Sequence, residues 1–164
     1  MRQAGFTLVE LIIVMAIMGV LMAIATANWN QMQKKNAVEG EAKALYADLM
    51  AVRLDALYTK RPRSVVVTST GFNVYSSSLT TVGPASGKSL RYPLKWTPAS
   101  PVLTLTFDVG GLSTAGADTS ICVDPDNNLA VTSGAVDSIV VSTARIKLGK
   151  REGGSCEVSG ITQR

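Results

Sequence analysis

Hydrophobic positions fall along the chain in three successive patterns: an unbroken run, a helical stripe and a two-residue alternation. The unbroken run is 17 uncharged, mostly apolar residues at 11–27, and it extends back to Phe6 with Glu10 as its only charge. About 20 such residues in a helix cross a bilayer, so residues 6–27 are predicted to span a membrane. Only MRQAG precedes the run and no A-x-A-like site follows it cleanly, which favours an anchor over a removable signal peptide. Arg2 on one side and Lys34 and Lys35 on the other leave the orientation open.

The second pattern covers residues 28–60, which hold strong helix formers and no proline. Leu45, Leu49, Val52 and Ala56 recur at spacings of four, three and four, the stripe of a helix packed on a core. Tyr46, Met50, Leu54 and Leu57 form a second stripe, and Glu41, Asp48 and Asp55 repeat every seven residues along a third line. That acidic line is either a solvated face or a contact between subunits. One helix is predicted from Phe6 to Lys60, roughly 80 Å at 1.5 Å per residue, its first half in membrane and its second packed on a domain. Pro62 stops it, because a proline inside a helix removes a backbone donor and clashes with the preceding turn.

Beyond Pro62 the period becomes two, and strands are predicted at 64–69, 71–77, 91–96, 102–108, 119–123, 128–132 and 138–148. Segments 81–89 and 110–118, rich in Gly, Ser, Thr and Ala, read as loops between them. One long helix followed by short strands is an α+β pattern. At 164 residues the chain has enough for one modest core.

Composition narrows the chemistry. Hydrophobic residues make up 46% and charged ones 17%, but the apolar excess lies at the N-terminus, and what remains is that of an ordinary soluble domain. There is no histidine and there are two cysteines. That excludes histidine catalysis and leaves too few soft ligands for a structural zinc site. No nucleophile motif or phosphate loop stands in context, so neither an enzyme nor a cofactor is expected. The net charge of +4 has no long basic run behind it. At 124–128, DPDNN spaces oxygen-bearing side chains as a calcium loop begins. Leu129 then stands where that loop needs glycine, and Ala135 where it needs glutamate. A hairpin turn uses the same residues and is the expectation, with no metal.

The stretch GFTLVELIIVMAIMGVLMAIA resembles the class III signal and N-terminal helix of type IV pilins and type II secretion pseudopilins. The resemblance implies a leader at 1–5, cut after Gly5 by a prepilin peptidase that then methylates the new amine of Phe6. It also implies a membrane-spanning part at 6–27, a periplasmic helical part at 28–61 and a β domain at 62–164. A carboxylate in hydrocarbon costs on the order of 2.5–3.5 kcal/mol on insertion scales and usually has a partner. By the resemblance, the partner of Glu10 is the Phe6 ammonium of a neighbouring subunit, and the pair sets the assembly register. The simpler alternative is a carboxylate favoured by the helix dipole and snorkelling to the interface. The prolines common midway along the family's helix are absent here, where Ala27 stands and residues 1–61 hold none.

Three further segments, DLMAVRLDALYTKRPRSVVV, LTFDVGGLSTAGADTSICV and SIVVSTARIKLG, resemble the GspH/FimT-type pseudopilins and minor pilins. That branch implies a long helix on an antiparallel β-sandwich, with glycine where Ala144 precedes Arg145. It places the chain in a bacterial inner membrane, single-pass with a periplasmic C-terminal domain, and then in a filament. The implied partners are other pilin or pseudopilin subunits, the peptidase, an inner-membrane assembly platform and the membrane. The expected role is a minor subunit that initiates or caps a type II secretion pseudopilus or type IV pilus. A major pilin is one alternative. Another is a minor pilin that captures DNA for transformation through Arg145, Lys147, Lys150 and Arg151. An oxidising periplasm lets disulfides persist, so Cys122 and Cys156 are expected to bond and tie the strand at 119–123 to the tail.

Overall fold

The computed structural model describes residues 6–125 and 136–164, without the side chains of 25, 27 and 28. Residues Leu8–Thr59 form a single helix, α1. Thr7 caps its start: the Thr7 carbonyl accepts from Leu11 N at 3.3 Å and its hydroxyl accepts from Glu10 N at 3.3 Å. Lys60, with φ 52°, turns left-handed just past the last helical residue, a common way for helices to end. Pro62 bars any continuation.

The chain divides into two compact units, residues 1–34 and 35–164. In the first, every described side chain from Phe6 to Lys34 is exposed within this chain. The helix there is long and apolar enough to cross a membrane.

In the second unit α1 buries Val38, Ala42, Leu45, Leu49, Val52 and Ala56. The predicted stripe is therefore present and runs two positions further back, at the same alternation of four and three. Against it pack two antiparallel sheets. The first has the order β3-β2-β1-β5, made of β1 (Arg63–Val67), β2 (Gly71–Tyr75), β3 (Ser86–Ser89) and β5 (Leu103–Phe107). The second has the order β4-β6-β7-β8-β9, made of β4 (Leu94–Thr97), β6 (Thr119–Val123), β7 (Ser138–Val141), β8 (Ile146–Arg151) and β9 (Ile161–Gln163). Val65, Val67, Phe72, Leu105 and Phe107 from the first sheet meet Ile121, Val123, Ile139 and Val141 from the second in one core with the helix stripe. Each fully buried Leu or Phe there contributes about 1.5–3 kcal/mol over its exposed state, so burial rather than surface pairing holds the helix to the sheets.

Three strand expectations need correction. The segment 138–148 is not one strand but a hairpin, β7 and β8, closed where Ser142 N donates to Arg145 O at 2.8 Å. Ala144 fits that turn because, among the described non-glycine residues, only Lys60 has a positive φ. The segment 81–89, expected as loop, contains β3, whose four residues SGKS are all exposed and so leave no apolar alternation to read. The short β9 is also new, with Ile161 its one buried side chain. A Cβ at Gly149 would run into the Ile161 side chain, so glycine there lets β9 close against β8. Gly111, at φ 69°, plays a similar part in the turn after β5, where a Cβ would lie 2.7 Å from Leu57 Cγ. The expected strand at 128–132 lies outside the described residues.

The far side of the second sheet is covered too. After β8 the chain folds back across it, so that Cys156 and Ile161 bury against Cys122 and Val140 as a smaller apolar cluster. A 3-10 turn at Val158–Gly160 then leads into β9.

Candidate assembly site

Exposure of the first unit sets its chemistry. Large apolar side chains from Phe6 to Ile24 stand open on all sides of the helix, where lipid or other helices would cover them. Thr26 keeps its hydroxyl satisfied by donating to Ala23 O at 3.0 Å. Glu10, on the first turn, is the single charge from Phe6 to Ile24. Its backbone N–H is taken by Thr7, so Thr7 is the N-cap and Glu10 the third helical residue, the spacing of a Thr-x-x-Glu capping box. No cation stands against the Glu10 carboxylate among the described residues. Thr7 was legible as a cap from the motif TLVE but was not singled out beforehand. Gly5, the expected cut site, lies outside the described residues, and Phe6 is exposed.

The acidic line of α1 is partly exposed, and each of its carboxylates also has a partner within the domain. Glu41 Oε1 accepts from the backbone N–H of Arg91 at 2.7 Å and more weakly from that of Tyr92 at 3.5 Å. Asp48 pairs with Lys88 of β3. Asp55 Oδ2 lies 2.6 Å from Arg63 Nε at the start of β1. The heptad spacing of the three carboxylates, set beside the buried stripe, thus pins successive parts of the first sheet and its connections to the helix.

Cys122 and Cys156, 34 positions apart in sequence, are joined in a disulfide with Cα atoms 6.0 Å apart. It fastens the C-terminal segment over β6, helped by Ser120 Oγ donating to Cys156 O. Closing a loop of that length removes about 3–4 kcal/mol worth of unfolded-state entropy. Replacing both cysteines with serine is expected to lower unfolding stability by about that amount, measured by the shift in urea midpoint at unchanged slope. A shift corresponding to under about 1 kcal/mol would show that the crosslink is incidental to the fold.

The basic tail does not present its four candidates as one surface, which corrects the DNA-contact expectation. Arg145 is exposed in the β7–β8 turn, while Lys147 and Lys150, three residues apart on β8, point to opposite faces of the sheet. Arg151 is 0% exposed. Its Nε lies 3.2 Å from Asp137 Oδ2, its backbone N donates to Asp137 Oδ1 at 3.0 Å, and its Nη2 donates to Val123 O at 3.2 Å. A guanidinium sealed inside protein is a structural ion, not a phosphate contact. Asp124, the first residue of the DPDNN stretch, is also fully buried and has Lys95 Nζ 3.2 Å from Oδ2. Residues 126–128 of that stretch lie outside the described residues.

Residues 1–26 match the prokaryotic N-terminal methylation motif. Behind that motif stands one long helix on antiparallel sheets, an α+β fold. Its fold is similar to that of the type IV minor pilin FimU of Pseudomonas aeruginosa strain PAO1, known in two crystal forms. In space group P21 the TM-score is 0.55 at 21% identity, covering 71% of this chain and 91% of that one. In P65 the values are 0.51 and 21%, covering 67% and 90%. No curated protein matches the sequence.

Proposed function

We propose that the chain is a minor pilin or pseudopilin, a structural subunit that initiates or caps a type IV pilus or a type II secretion pseudopilus. Residues 6–27 hold it in the inner membrane with the β domain on the periplasmic side, and an assembly platform draws it into the filament. The observation that carries this is an apolar helical stretch, exposed at every residue from Phe6 to Ile24, whose one charge, Glu10, stands a single turn from Phe6. A carboxylate left alone in hydrocarbon is costly, whereas a neighbour's Phe6 ammonium neutralises it only when two subunits dock at one register. The motif at residues 1–26 supports the matching step, cutting after Gly5 and methylation of Phe6. No surface of the basic tail favours DNA capture over this role.

Mass spectrometry of the chain extracted from membranes of cells that contain a prepilin peptidase tests the proposal. The N-terminal peptide is expected to begin at Phe6 and to carry one added methyl group. A chain that still begins at Met1 in those cells, while a known pilin beside it is processed, overturns the reading. Quantifying the chain in sheared filaments then separates a minor subunit, present in trace, from a major pilin that makes up the fibre.

A further inference from the structure

The first sheet ends in a strand with almost nothing apolar to hold it. All four residues of β3 are exposed, as is every residue of the 78–85 connection to it. Apart from Leu90, half-buried against the core, and Lys88 Nζ, 5.9 Å from the Phe72 ring centre, its attachments are of two kinds. One is the backbone ladder to β2, extended by Ala85 N donating to Val74 O at 2.8 Å and Leu90 N to Thr70 O at 2.9 Å. The other is the acidic line of α1, through Asp48 on Lys88 and Glu41 on the backbone of Arg91 and Tyr92. Beneath them an open groove runs between the helix and the hairpin, floored by Ala51, Val52, Phe72 and Val74. The neighbouring strands differ: β1 and β5 bury Val65, Val67, Leu105 and Phe107, and the second sheet is crosslinked by the disulfide.

Local opening follows weak apolar contact and exposed polar contact, so different parts of one domain open at different free energies. We infer that residues 76–91 form a flap, closed on α1 by an electrostatic clasp of Glu41 and Asp48, which lifts while the rest of the domain stays folded. Lifting it frees the outer backbone edge of β2 and uncovers the groove floor. The clasp is exposed enough for salt to loosen it: the Lys88 and Asp48 side chains are 41% and 36% exposed, and the screening length falls from about 10 Å at 0.1 M to about 3 Å at 1 M salt.

Hydrogen exchange read by mass spectrometry on the full chain in detergent micelles tests this. At low salt, Asp48→Asn and Glu41→Gln are each expected to speed exchange of the β3 and Leu90 amides by about two- to fivefold. Amides of β6 and β7 should be unchanged. Raising the salt to about 1 M should speed the same β3 amides in the unmodified chain and do little in the double variant, whose clasp is already gone. The inference is overturned if β3 exchanges in step with β6 and β7, since the strand then opens only by global unfolding. It is also overturned if salt speeds the double variant as much as the unmodified chain, since the latch is then not electrostatic.

Discussion

Changing Glu10 to Gln is expected to leave the chain processed and in the membrane but to cut its incorporation into filaments by about tenfold or more. The substitution keeps the shape and the capping geometry, since glutamine serves at the third helical position as well as glutamate. Insertion becomes easier, because an uncharged amide costs less in hydrocarbon than a carboxylate. What disappears is the charge that, in the proposed assembly, answers a neighbour's Phe6 ammonium. Removing one partner of a buried ion pair leaves the other uncompensated, which costs about 3–5 kcal/mol where water is excluded. Even about half of that cost exceeds a factor of ten in the docking equilibrium. The measurement is the ratio of chain in sheared filaments to chain in membranes, by quantitative immunoblot. Unchanged incorporation would refute the pairing role and leave Glu10 as a helix-start residue held by Thr7 and the dipole.

How far such features could be read in advance depended on whether they were local. The stripe at Leu45, Leu49, Val52 and Ala56 was legible because helical periodicity repeats the same burial every turn. β6 was read at its true bounds, 119–123, because turn-forming residues flank it. β3 and β9 were missed for the opposite reason: SGKS and ITQ carry too few apolar residues for alternation, and only pairing with β2 and β8 makes them strands. The acidic line was seen as a line but its partners were not. Lys88 and Arg91 lie 40 and 50 residues from Asp48 and Glu41, and no local pattern connects them. The cysteine pair was legible for a different reason, since the oxidising periplasm that the resemblance implies lets an even pair of thiols bond.

Arg151 shows the same limit most sharply, and its removal is expected to produce the largest stability loss in the β domain. In sequence it sits in LGKREGG, where an arginine between a lysine and a glutamate reads as surface. In the fold it is the largest fully buried side chain among the described residues, fixed by Asp137 and the Val123 carbonyl at the ends of β8, β7 and β6. Arg151→Ala leaves the Asp137 carboxylate buried without its guanidinium, at a cost of about 3–5 kcal/mol. A domain of this size is stable by only about 5–15 kcal/mol, so the variant should be close to unfolding at physiological temperature. Arg145→Ala, on the exposed turn, should change stability by no more than about 0.5 kcal/mol. Urea unfolding followed by circular dichroism measures both, and a double-mutant cycle with Asp137→Ala isolates the pair. Because the double variant removes both charges together, it should recover part of the loss, giving a coupling energy of about 2 kcal/mol or more. A coupling below about 0.5 kcal/mol would mean that Asp137 and Arg151 are each held by other partners. The position of Arg151 would then be a consequence of the sheet rather than one of its causes.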